Sequence, residues 1–130
     1  MDTRETALAQ AASHFDSGAF QRDLARRVAL PTESENPSRA TVLRHYLVEE
    51  IAGALATLGA TASIHDNPVA GGPPFLIGQR IEDPALPTVL VYGHGDVVRG
   101  HEGRWRDGRD PWTLAPDGER WYGRGSADNK

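Results

Sequence analysis

As far as Gly59 the apolar positions keep helical spacing, and beyond it they fall into short extended runs. Ala7, Leu8, Ala11, Ala12 and Phe15 predict a first helix, interrupted at Asp16-Ser17-Gly18. Ser17 is the expected cap of a second helix with Phe20, Leu24 and Val28 on one face, ended by Pro31. Asn36-Pro37-Ser38 is a helix start, with Asn36 as cap and Pro37 in the first turn. Leu43, Leu47, Ile51, Leu55 and Leu58 then recur every three or four residues, and Gly59 supplies the stop.

Thr61-Ala62-Ser63-Ile64-His65 reads as a short strand closed by Asp66-Asn67-Pro68, and residues 75–81 as a second, after a Gly-Gly-Pro-Pro turn. Thr88-Val89-Leu90-Val91-Tyr92 is an almost unbroken apolar run, the pattern of a strand buried on both faces. Residues 99–118 make a long loop rich in Gly, Pro and Trp, of the kind that tends to carry function in compact domains. Asp117-Gly118 is a turn, 119–122 one more short strand, and 123–130 a glycine-rich loop. The expected class is therefore α/β: two or three helices followed by short strands, in a layered arrangement whose sheet is incomplete. A buried strand with so few neighbours is a poor place to end a sheet, so we expect the natural polypeptide to continue past Lys130.

Composition narrows the chemistry. A formal charge of −4 gives no basic face for nucleic acid, and the arginines of residues 104–110 alternate with carboxylates, which predicts no local positive patch. There is no apolar run near the roughly 20 residues that a membrane helix needs. Met1-Asp2-Thr3-Arg4-Glu5 lacks a signal pattern, so the expected location is the cytoplasm. The 130 residues contain no cysteine, which removes disulfides, thiol nucleophiles and thiolate metal sites; any metal must be held by His, Asp or Glu.

One such pair stands out by its context. The apolar run leads straight into Gly93-His94-Gly95-Asp96. Side chains two apart on extended backbone point the same way, so His94 can ligate a metal while Asp96 orients its ring and raises its basicity. The flanking glycines allow a sharp turn and leave room for metal and substrate. Spacing alone is weak, since chance gives about 0.4 such His-x-Asp pairs in a chain of this composition. A second pair, His14 and Asp16, lies in a helical stretch where residues two apart diverge, and reads as surface. The pair at 94 and 96 follows a strand, where sites gather in open α/β sheets.

Two separated stretches add a resemblance. Val91-Tyr92-Gly93-His94-Gly95-Asp96-Val97-Val98, followed by Trp105, Asp110-Pro111-Trp112 and then Trp121-Tyr122-Gly123-Arg124-Gly125-Ser126-Ala127-Asp128-Asn129-Lys130, resembles the M20 family of metallopeptidases. That family includes dipeptidases, glutamate carboxypeptidases, aminoacylases, acetylornithine deacetylases and succinyl-diaminopimelate desuccinylases. The likeness is strong over residues 88–130 and looser before, where Leu30-Pro31-Thr32-Glu33-Ser34 looks like the family's segment after its first helix. It implies a zinc-peptidase-like αβα catalytic domain, of which residues 1–130 would be the N-terminal portion, without the lid and dimerisation domain.

By the same resemblance His94 would ligate one metal, Asp128 would bridge two, and Asp96 would be the catalytic residue acting through the imidazole. The cofactors implied are two divalent ions, zinc first, with cobalt or manganese also suited. The substrate implied is a small peptide or N-acyl amino acid, and the parent enzyme a homodimer. The peptide bond after Asp128 is commonly cis in the family. Gly95 departs from the pattern, which often has a bulkier residue there, with consequences for substrate fit rather than ligation. A Glu-Glu pair supplying the general base and a ligand, a further acidic ligand and a late histidine are absent; Glu49-Glu50 precedes His94 and reads as a solvated helix face.

The remaining histidines have plainer readings: His45 on a helix surface, His65 at a strand end, and His101 in a loop as a second site candidate. Trp105, Trp112 and Trp121 are expected to pack loops more than to line a cleft, and Arg124 to brace a loop more than to bind a substrate carboxylate. Two protein ligands cannot close a four-coordinate zinc site, so these 130 residues alone are expected to bind zinc weakly and hydrolyse nothing. A non-catalytic α/β binding module, or an inert one derived from such an enzyme, is the rival reading.

Overall fold

The computed structural model describes residues 3–130; Met1 and Asp2, which open the segment read for a leader, lie outside them. The expected class holds, with helices followed by short strands in incomplete sheets. Helix α1 spans Thr3–Asp16 and α2 Ala19–Val28. Gly18, not Ser17, caps α2: its positive φ of 73° turns the chain, and Ser17 Oγ instead donates back to the carbonyl of His14. The third helical body opens where expected, with the Asn36 side chain accepting from Ser38 N. It runs through a 3-10 turn (Pro37–Arg39), α3 (Ala40–His45), a π-helical stretch (Tyr46–Ala52) and α4 (Gly53–Thr57). Gly59, at φ 74°, follows it.

Strand β1 (Thr61–His65) pairs antiparallel with β2 (Phe75–Gln79), with Ile64 opposite Leu76. The hairpin lies on the third helical body, where Leu55 approaches Gly78 too closely for a side chain there: a Cβ would meet Leu55 at 2.7 Å. A second small hairpin joins β3 (Ala115–Asp117) to β4 (Arg120–Tyr122), and its turn uses the positive φ of Gly118.

The expected strand over residues 88–92 is not formed. The segment belongs to no strand, and Leu90 is 95% exposed. A strand buried on both faces needs a hydrogen-bonded neighbour along each edge, and among the described residues none lies beside it. No helix among these residues is long and apolar enough to cross a membrane.

What holds the helices to the loops is a small clasp. Residues 32–34 lie parallel to the segment around Val97: Val97 N donates to the Thr32 carbonyl at 2.9 Å, and Ser34 N to the Val97 carbonyl at 3.3 Å. The Thr32 hydroxyl donates to the Gly95 carbonyl at 2.6 Å. Glu33, buried, accepts from Gly100 N at 2.8 Å, from Asn36 Nδ2 and from Arg39 Nε. Val28 and Thr32 are fully buried beneath, and Val97 and Tyr46 nearly so.

Donation from Gly100 N, reinforced by Asn36 and Arg39, holds the Glu33 carboxyl below its ordinary range despite burial. A depressed folded pKa stabilises above the unfolded value, and that stability is lost as pH falls through the folded one. Glu33→Ala leaves a buried N–H and a half-buried guanidinium without their acceptor. It should cost about 2–4 kcal/mol at pH 7 in urea unfolding. The gap to the parent protein should shrink as pH drops below the ordinary 4.5.

Candidate metal centre

The clasp sets one half of the site. Holding Gly95 and Val97 by their backbones leaves the two intervening and preceding side chains, Asp96 and His94, on the free side. They meet as the sequence predicts. His94 Nδ1 lies 3.2 Å from the Asp96 carbonyl and 3.2 Å from its carboxylate. The carbonyl accepts only, so Nδ1 carries the proton and Nε2 is the nitrogen left to face outward.

The other half arrives on the 123–130 loop. Gly123 packs on Val28, where a Cβ would come within 2.9 Å, and Gly125 packs on Val97 at the same separation. Arg124 N donates to the carbonyl of buried Pro111 at 2.7 Å. Lys130 closes the loop: its N donates to the Gly125 carbonyl, and its Nζ to the carbonyls of Arg27 and Leu30 at the end of α2. Burial lowers its pKa to about 8. The Asp128–Asn129 peptide bond is cis. This architecture brings Asp128 Oδ1 to 3.1 Å from His94 Nε2.

That separation fits a shared ion. Nitrogen and oxygen ligands at about 2.0–2.2 Å from one zinc stand about 3.3–3.6 Å apart at the tetrahedral angle, so 3.1 Å is a narrow bite. Asp96 sits behind the ring on the opposite nitrogen, as an orienting carboxylate does. Among the described residues no three His, Cys, Asp or Glu are arranged to hold an ion by themselves. His94 and Asp128 would offer an ion two ligands.

Both ring nitrogens face oxygen. The Asp96 carbonyl, and then the Asp96 and Asp128 carboxylates, therefore favour the imidazolium and raise the pKa of His94 above the ordinary 6.5, outweighing the opposing effect of burial. A metal would replace the Nε2 proton.

The glycines flanking His94 differ in what they leave open. A Cβ at Gly93 would meet only Asn129 Oδ1, at 3.9 Å, so this side is free. A Cβ at Gly95 would lie 2.0 Å from the Tyr46 ring. The room at Gly95 is filled by a buried tyrosine from the π-helical stretch, not by substrate.

Several side readings change. Glu49 is exposed, but Glu50 is not a solvated residue: it accepts from Arg26 Nε at 2.8 and 2.9 Å and ties the third helical body to α2. His101 borders two cavities whose linings include neither His94 nor Asp128. The tryptophans brace. Trp121 stacks on Phe15 and Phe20, Trp105 Nε1 donates to the Gly100 carbonyl, and Trp112 packs over Gly100 with its Nε1 on Glu102. His14, His45 and His65 are exposed. Sequence reasoning missed the supports of the site: Thr32, Glu33, Tyr46 and Lys130. Thr32 and Glu33 were visible as a matched segment without a role, while nothing in spacing marks Tyr46.

No family model matches the chain. Curated relatives do. A Cys-Gly metallodipeptidase of Candida albicans is 34% identical over 127 residues, which is 85% of this chain and 25% of that protein. An acetylornithine deacetylase of Edwardsiella ictaluri is 32% identical over 79% of this chain and 26% of its own length. A Beta-Ala-His dipeptidase of Mus musculus is 43% identical over 60 residues, 45% of this chain and 12% of that protein. The chain thus spans about a quarter, or less, of the relatives it matches. The resemblance carried by the two motifs is shared with named dipeptidases and deacetylases.

Two outcomes follow from the geometry. In metal-free protein, NMR titration should place the His94 pKa above 6.5. Zinc uptake measured calorimetrically in buffers of different ionisation heat should then release a proton below that pKa and none well above it. Gly95→Val should destabilise by about 1–3 kcal/mol through overlap with Tyr46. In a Tyr46→Ala background the same change should cost less, so that the double variant is more stable than the sum of the singles.

Proposed function

We propose, from kinship with the M20 metallopeptidases as the premise, that residues 1–130 are the N-terminal portion of a catalytic domain. The parent enzyme is a metal-dependent hydrolase of amide bonds in dipeptides or N-acyl amino acids. The observation that carries this reading is the convergence of His94 Nε2 and Asp128 Oδ1 to 3.1 Å, from two separate loops, with Asp96 on the far nitrogen.

In this reading His94 and Asp128 hold divalent metal, zinc by preference and cobalt or manganese by donor type. A pair of such ions, when bound, activates a water and polarises the scissile carbonyl. The residues of this chain prepare that chemistry. Asp96 fixes the ring tautomer so that Nε2 presents its lone pair, and raises the basicity of the ligand. Asp128 offers two oxygens on an 82% exposed side chain, open to a second ion. Gly93 leaves its side of the histidine clear. The general base, the remaining ligands and the lid that mediates dimerisation belong to the rest of the parent protein, which we place in the cytoplasm.

A second reading, a non-catalytic α/β binding or inert module, draws on the two-ligand character of the site among the described residues. Activity separates them. The parent protein should hydrolyse dipeptides or N-acetyl amino acids with added zinc or cobalt and lose turnover in His94→Ala. Asp96→Asn should lower metal affinity or activity by about 10–100-fold. Residues 1–130 alone should show no turnover; hydrolysis by them that His94→Ala abolishes would contradict the two-ligand account.

A further inference from the structure

Apart from the metal arm, the structure holds a cavity of about 340 Å³ lined by His101, Arg104, Trp105 and Arg124. We propose that this cavity is a binding site for a small oxyanion, a carboxylate or a phosphate. The alternation of charge along residues 104–110 predicts a neutral stretch, but folding partitions those charges unevenly. Asp107 and Asp117 both bind Arg109, each at 2.7 Å, and Asp110 accepts from Trp112 N and the Thr113 hydroxyl. Glu33 is held by Gly100, Asn36 and Arg39. Among the described residues no carboxylate lies within ion-pair distance of Arg104 or Arg124, and the two guanidiniums border one cavity; Glu33 and Glu102 line the adjoining one, with Glu102 accepting from Trp112 Nε1.

Arg124 is also incompletely satisfied. Its Nε is buried and has no hydrogen-bond partner among the described residues, so no protein acceptor neutralises the guanidinium there and its outer N–H groups are left to face the cavity. Trp105 holds the fork in place: its Nε1 is fixed to the Gly100 carbonyl at 2.7 Å, and the Arg124 guanidinium lies 5.3 Å from its ring centre. Planar donor forks braced in this way match carboxylate and phosphate oxygens. The positive φ of His101, 55°, turns its backbone at the rim of the same cavity.

The test is calorimetric titration of chelator-treated protein with inorganic phosphate and, separately, with acetate, at constant ionic strength. Metal-free protein keeps the result independent of the hydrolase reading. Saturable one-to-one binding is expected, weakened about tenfold by Arg104→Ala, whose exposed side chain has no ion-pair partner among the described residues, and less by Arg124→Lys, which keeps the charge but not the fork. Tighter binding of phosphate assigns the site to phosphate groups, and tighter binding of acetate to carboxylates. Absence of saturable binding of either anion, or affinities unchanged in both variants, would overturn the proposal.

Discussion

The candidate centre depends on the parallel clasp between residues 32–34 and the segment around Val97. Two backbone hydrogen bonds, the Thr32 hydroxyl on the Gly95 carbonyl and the Glu33 carboxylate on Gly100 N pin an otherwise unpaired stretch of chain. The clasp fixes backbone on one side of the segment, which is what frees the His94 and Asp96 side chains on the other. Glu33 is well suited to the task because it is charged and enclosed: a buried carboxylate accepting from three donors holds each of them more firmly than a neutral acceptor would.

The second arm leans on the same core. Gly123 and Gly125 allow the loop to lie directly on Val28 and Val97, and Lys130 reaches back to the carbonyls that end α2. Those carbonyls also accept from Leu30 N and Thr32 N, and an ammonium group there adds a second donor to each at the negative end of the helix dipole. Asp128 is thereby held on both sides, by packing before it and by an anchored lysine after it. The arrangement puts rigidity in the supports and leaves the candidate ligands accessible, at 35% exposure for His94 and 82% for Asp128.

What was legible in the sequence follows from which signals are local. The Asn36 cap, the strand Thr61–His65 and the Asp117-Gly118 turn depend on neighbouring residues and stand as read. Ser17 lost its capping role because Gly18 can take a left-handed turn that serine resists. The run at 88–92 has the composition of a central strand, yet composition specifies an environment and not the neighbours that create it. Tyr46 against Gly95 and Glu50 against Arg26 join segments far apart in the chain, and no spacing rule reports such pairs. The candidate metal residues stood out for a different reason: two motifs occur in order, and the fold brings His94 and Asp128 within 3.1 Å.

The central claim is that His94 and Asp128 hold one ion between them. The direct measurement is a crystal structure of zinc-treated protein with anomalous diffraction collected at the zinc edge. The account predicts a peak about 2.0–2.2 Å from both His94 Nε2 and an Asp128 oxygen, with Asp96 still on Nδ1. A peak on other side chains, or an ion bound with His94 and Asp128 apart, would contradict it.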